Sequence, residues 1–114
     1  FRRQMTRWVE AGEVILETAS PDSLLETARS GHFDLIFASH VLFNSGAIVS
    51  VLDELAALAR PEGPWVVIDG YHGFMAIETD LSQIADRVFY LSGGYKYAQS
   101  AWRPAARPFS RLSR

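Results

Sequence analysis

Apolar positions recur at two different periods along this chain, and they divide it into alternating helices and strands. Phe1, Met5 and Trp8 fall at helical spacing with Arg2, Arg3, Gln4 and Arg7 between them, which predicts an amphipathic helix over 1–11, stopped at Gly12. Val14-Ile15-Leu16 is a short β-prone run. Ser20-Pro21-Asp22 is a helix-start signal, opening a helix over about 22–29 that Gly31 closes. Leu35-Ile36-Phe37-Ala38 and Trp65-Val66-Val67-Ile68 are compact apolar runs, the pattern of strands buried on both faces. Between them, Asn44 and Ser45 are plausible caps. Ile48, Leu52, Leu55 and Ala59, with Val51 and Leu58 beside them, form the apolar stripe of a helix over 47–60, ended by Pro61 and Gly63. A short helix is expected over 81–85 and a third strand over 87–91. Strand and helix alternating at these intervals predict an α/β fold with a mainly parallel sheet flanked by helices. No fixed-period repeat or internal linker interrupts it.

Composition narrows the classes. The sequence has 114 residues, 48% hydrophobic, with a formal charge of -2. That describes a folding chain and gives no sign of a nucleic-acid or acidic-membrane partner. No apolar run approaches the roughly 18 residues of a membrane-spanning helix, and no secretory leader is visible. Zero cysteines exclude disulfides and thiolate metal sites, and the default compartment is cytoplasmic. The sequence starts at Phe1 inside a helical pattern, so a preceding segment is expected. Of eleven basic residues ten are Arg, so Lys96 is the sole side-chain amine. Residues 101–114 hold four Arg, two Pro and no acid. They read either as a solvated basic tail or as a frameshifted ending.

Three apolar runs each finish in a functional side chain. Ser39 follows the first, Asp69 the second, and Lys96 follows the third after a glycine-containing turn. Ligands of open α/β sheets bind beyond the carboxyl ends of the strands. Parallel neighbours would therefore present a hydroxyl, a carboxylate and an amine to one crevice. Pyridoxal 5'-phosphate (PLP) chemistry uses those types. An amine condenses with the aldehyde, and a carboxylate keeps the pyridine nitrogen protonated so that the ring can act as electron sink. Gly93 and Gly94 let the backbone approach a flat group. His72, three residues after Asp69, could pack on the ring, and Tyr95 could offer a hydroxyl to a phosphate.

Residues 34–100 resemble the central segment of class V aminotransferase-type PLP enzymes (fold type I), and most closely the kynureninase-like branch. The matching stretches are Ser39-His40-Val41-Leu42-Phe43-Asn44-Ser45-Gly46, then Asp69-Gly70-Tyr71-His72, then Ser92-Gly93-Gly94-Tyr95-Lys96-Tyr97. Each motif is weak alone; the ordered set is more specific. The resemblance implies that residues 1–100 are part of a PLP-binding large domain. It also implies Lys96 as the Schiff-base lysine, Asp69 as partner of the pyridinium, and Ser39, His72 and Tyr95 as cofactor contacts. An amino-acid substrate and a homodimer follow from the same source. The family's upstream phosphate loop, its stacking aromatic residue and its small C-terminal domain have no counterpart here.

Plainer roles stand beside these. Lys96 could be a surface lysine, Asp69 could cap an Asp-Gly turn, Ser39 could be a cap, and His72 could satisfy local hydrogen bonds. His32 is expected to face solvent. His40 has no second ligand at metal spacing, so no zinc site is expected. Trp8 and Trp65 read as core. Two other functions compete with the PLP reading. Residues 33–63 also resemble the middle of an S-adenosylmethionine-dependent methyltransferase, although the glycine-rich loop of that family is missing after Val14-Ile15-Leu16. Alternatively, the chain is a non-catalytic vestigial or interaction module.

Overall fold

The computed structural model describes residues 1–94, 96 and 97. The 101–114 stretch and Tyr95 lie outside the described residues, and so do the expectations attached to them. Helix α1 spans Arg2–Glu10 and α2 Leu24–Ser30. Strand β1 (Leu35–Ser39), helix α3 (Leu52–Ala56), strand β2 (Trp65–Asp69) and strand β3 (Val88–Leu91) follow. The strands form one parallel sheet in the order β1-β2-β3. The α/β architecture with a parallel sheet is therefore present.

Strand alternation assigns each side chain to a face. In register, Ile36, Val66 and Val88 form one row across the sheet, and Ala38, Ile68 and Tyr90 the next. This face packs on α3: Leu52, Leu55 and Ala56 join Ile36, Ala38, Val49, Val66, Ile68, Ile84 and Tyr90 in one buried cluster. Leu55, Val66 and Ile68 are fully enclosed. Leu24, Leu25 and Ala28 bring α2 against the same cluster.

The opposite face corrects the expectation of strands buried on both sides. Leu35 is 46% exposed and Trp65 45% exposed, so this face is not enclosed as the α3 face is. Phe1 stacks on Phe37 with ring centroids 4.6 Å apart, and Trp65 tilts against Phe89 at 5.6 Å. Trp65 is thus not core. Trp8 is not core either, since α1 buries none of its residues. A bulky apolar side chain is enclosed only where a second layer lies over it.

Four helix and strand expectations also change. The helix expected over 47–60 is cut to α3, because the preceding backbone is bonded elsewhere. Val49 N–H donates to His40 O at 2.9 Å, Leu42 N–H donates to Ala47 O at 2.9 Å, and Val41 bridges Ile48. Gly46, at φ 68°, makes the reversal that these bonds need. At the other end, Arg60 Nη1 donates to the carbonyls of Ala57 and Ala59, both at 2.8 Å, filling the role of a C-terminal cap. Residues 14–16 form no strand, and Ile15 is 97% exposed, with no strand paired to it among the described residues. Residues 81–85 make turns instead of a helix. The start of α2 is two residues later than expected: Ser20 and Ser23 bond each other's backbone N–H reciprocally, and the chain enters the helix only after that closed turn.

Among the described residues, no helix is long and apolar enough to cross a membrane.

Candidate functional site at the carboxyl edge of the sheet

Parallel pairing sends the carboxyl ends of all three strands to one edge. Ser39 and Asp69 are register partners there, and Asp69 pairs in turn with Leu91. The hydroxyl and the carboxylate are neighbours on the less covered face, both half-buried. The ladder continues one step further, with His40 N–H donating to Asp69 O at 2.9 Å and Gly70 N–H to Leu91 O at 2.8 Å. These bonds make the edge a rigid base for the Asp69 side chain.

Asp69 Oδ1 accepts the Tyr71 N–H at 3.0 Å, an Asx-type turn. The capping role open to an Asp-Gly pair is therefore realised, with one carboxylate oxygen assigned to it. Burial raises the Asp69 carboxyl above its ordinary value of 3.8, while the charges of His72 and of the Phe1 amino group oppose that rise. The His72 ring packs against Phe43 at 5.2 Å and against Tyr71 at 5.4 Å.

Lys96 follows β3 and reaches the same place. Its Nζ lies 4.9 Å from the centroid of the Tyr71 ring, within cation–π range. Gly93 lies against that ring as well, so close that an added Cβ would come 2.5 Å from Tyr71 Cε2. Tyr71 is therefore the common neighbour: Asp69 holds its backbone, His72 touches its ring edge, and Lys96 and Gly93 lie on its ring. Sequence reasoning missed it, because Tyr71 occupies a spacer position of the Asp69-Gly70-Tyr71-His72 motif. An aromatic residue between two candidate ligands was the available signal.

His40 was ambiguous in sequence and is now located. It is buried, with Nδ1 3.3 Å from the Tyr90 hydroxyl. His32 faces solvent, as expected.

Two clefts lie away from this edge. One, of about 530 Å³, is lined by Pro21, Asp22, Leu25, Glu26 and Arg29 beside α2. The other, of about 190 Å³, lies at the amino end of the sheet around Pro64, Trp65, Val88 and Phe89. Neither is lined by Ser39, Asp69, His72 or Lys96.

The raised Asp69 carboxyl has a testable consequence. A folded-state value above the unfolded one means that protonation favours the fold. That contribution is complete below the unfolded value and is lost as pH rises through the folded value. Asp69→Asn keeps an oxygen for the Tyr71 N–H and removes the titration. The variant is expected to gain in Tm relative to the unchanged protein between about pH 4 and pH 7. A constant difference across that range in thermal unfolding would rule the burial effect out.

Compared with protein-family models, curated proteins and solved structures, the chain matches none of them.

Proposed function

We propose that this chain is the lysine-bearing central segment of a PLP-dependent enzyme acting on an amino acid, of the class V aminotransferase or kynureninase-like type. One observation carries the reading. Asp69 at the end of β2 and the sole lysine, in the segment that follows β3, both contact Tyr71: the carboxylate accepts its backbone N–H and Lys96 Nζ lies over its ring.

The residues fit the group in kind. Asp69 is half-buried, and burial disfavours its charged form. A cationic ring nitrogen beside it would offset that cost, since an opposite charge favours the carboxylate. When bound, PLP supplies an electron sink for carbanion chemistry at the substrate's α-carbon. Asp69 would hold the proton on the ring nitrogen. Lys96 would supply the amine that anchors the aldehyde and that can take or return a proton nearby. His72 and Ser39 would orient the ring from the same edge, and Tyr95 would contact the phosphate side. Tyr71, with Lys96 over its ring, holds the amine at the edge. The open edge of this chain would be completed by further parts of a longer protein and by a second subunit of a homodimer.

The test is direct. The full chain is incubated with PLP, reduced with borohydride and digested, and the added mass is located. Label on Lys96 is the expected result. No adduct, or label confined to the Phe1 amine, would end the reading. Binding of S-adenosylmethionine without PLP would favour the methyltransferase alternative instead.

A further inference from the structure

We propose that His40 and Tyr90 form a latch beneath the turn carrying Asp69 and His72, holding that turn in position and releasing it in acid. Two contacts place the latch. Tyr90 on β3 points to the buried face, and its ring lies directly under Gly70, where an added Cβ would come 2.0 Å from Cζ. The His40 ring, perpendicular to it at 75°, lies under Gly73, where an added Cβ would come 3.2 Å from Nδ1. The two rings therefore touch the connection at two points along its length, Gly70 and Gly73.

The connection has little regular structure of its own to replace them. It consists of tight turns: Gly73 and Phe74 N–H donate to Gly70 O at 3.0 and 2.7 Å, and Ile77 N–H donates to Gly73 O at 3.1 Å. Met75 sits at φ 62°, a conformation that a non-glycine residue adopts only when its surroundings hold it. Side-chain support from below is what such a segment needs. His72 lies in its first turn, directly after the strand that ends at Asp69, so its position sets that of His72 beside the carboxylate.

Neutral His40 and the Tyr90 hydroxyl make one hydrogen bond, with either group able to donate. Burial lowers the His40 value below the ordinary 6.5. Facing it are the Tyr90 hydroxyl from β3 and Gly73 from the connection, and Val41 packs against the same glycine. The Asp69 carboxylate at the end of β2 acts on Tyr90 through its charge. A depressed folded value means that the contribution of His40 is present above the unfolded value and lost as pH falls through the folded one. Among the described residues no acidic side chain is paired with the His40 ring, so the imidazolium leaves its place and the turn loosens.

The inference rests on the proposed function only for what the turn carries; the latch itself is a property of the fold. Amide hydrogen exchange at Gly73, Phe74 and Ile77, corrected for intrinsic rates, tests it in the full chain between about pH 7.5 and 5. Exchange in the unchanged protein is expected to rise on the order of tenfold toward acid, the worth of about one buried hydrogen bond. His40→Gln should make these amides insensitive to pH, and Tyr90→Phe should raise their exchange already at neutral pH. Flat exchange in the unchanged protein, or an equal acid response in His40→Gln, overturns the latch, and neither result depends on Tyr90→Phe folding. Borohydride labelling of Lys96 is read in the same samples. Label present with flat exchange removes the latch and leaves the PLP reading intact; acid-dependent exchange without label does the reverse.

Discussion

Lys96→Arg is expected to abolish borohydride-trapped PLP labelling of the chain apart from background at the Phe1 amine. A guanidinium keeps a cation beside Tyr71 and stacks well on an aromatic face, but it does not form a reducible adduct with an aldehyde. The substitution therefore separates the two roles open to this side chain. If Lys96 serves only as a cation packed on Tyr71, the arginine variant should behave as the unchanged protein does in every assay. Lys96→Ala should likewise lose the label, and its loss of stability should stay within about 1 kcal/mol, the worth of one exposed cation–π contact. Mass spectrometry of the digested, reduced protein reads the first effect and thermal unfolding the second. Label that persists on the arginine variant at the level of the unchanged protein would remove Lys96 as the anchor.

Much of this site was legible because the strands were. Runs of four apolar residues bounded by polar and glycine-rich stretches admit few assignments, so 35–38, 65–68 and 87–91 were found within one residue of β1, β2 and β3. Parallel pairing then brought Ser39, Asp69 and the segment leading to Lys96 to one edge. Burial was less legible. Phe37 and Val66 look alike in an apolar run, yet Val66 is fully enclosed and Phe37 is not, because only one face of the sheet meets α3. Hydrophobicity reports what a side chain tolerates, and the second layer decides what it receives. The stripe over 47–60 failed for a related reason. Ile48 and Val49 suit an extended backbone as well as a helix, and the bonds to His40 and Leu42 determined the choice. The roles of Tyr71 and Tyr90 were hidden because each depends on a glycine remote in sequence. Gly93 approaches one ring and Gly70 the other, pairings that no local pattern announces.

Gly70→Ala should be the most damaging small substitution near the site. The added methyl would lie 2.0 Å from Cζ, 2.1 Å from Oη and 2.4 Å from Cε1 of Tyr90, well inside contact distance. Tyr90 cannot simply turn aside. It is 7% exposed, belongs to the central cluster, and its hydroxyl is engaged by His40. The backbone cannot retreat freely either, since Gly70 N–H is bonded to Leu91 O and Gly70 O accepts from Gly73 and Phe74. Overpacking of this kind costs about 1–3 kcal/mol, and the rigid surroundings place this case near the top of that range. Against a typical total of about 5–15 kcal/mol, that is a large share of the fold's stability. The cause can be isolated with Tyr90→Ala, which itself opens a cavity costing roughly 3–5 kcal/mol by analogy with buried Phe truncation. In that background the methyl has room, so Gly70→Ala should cost less than about 1 kcal/mol, giving a coupling of roughly 2 kcal/mol in a double-mutant cycle by urea unfolding. Where the double variant is too unstable to measure, Tyr90→Leu supplies a smaller cavity for the same comparison. Equal costs in the two backgrounds would mean that Gly70 is required for its backbone alone. The close packing of the Asp69 turn on Tyr90 would then not be what holds the carboxylate at the sheet edge.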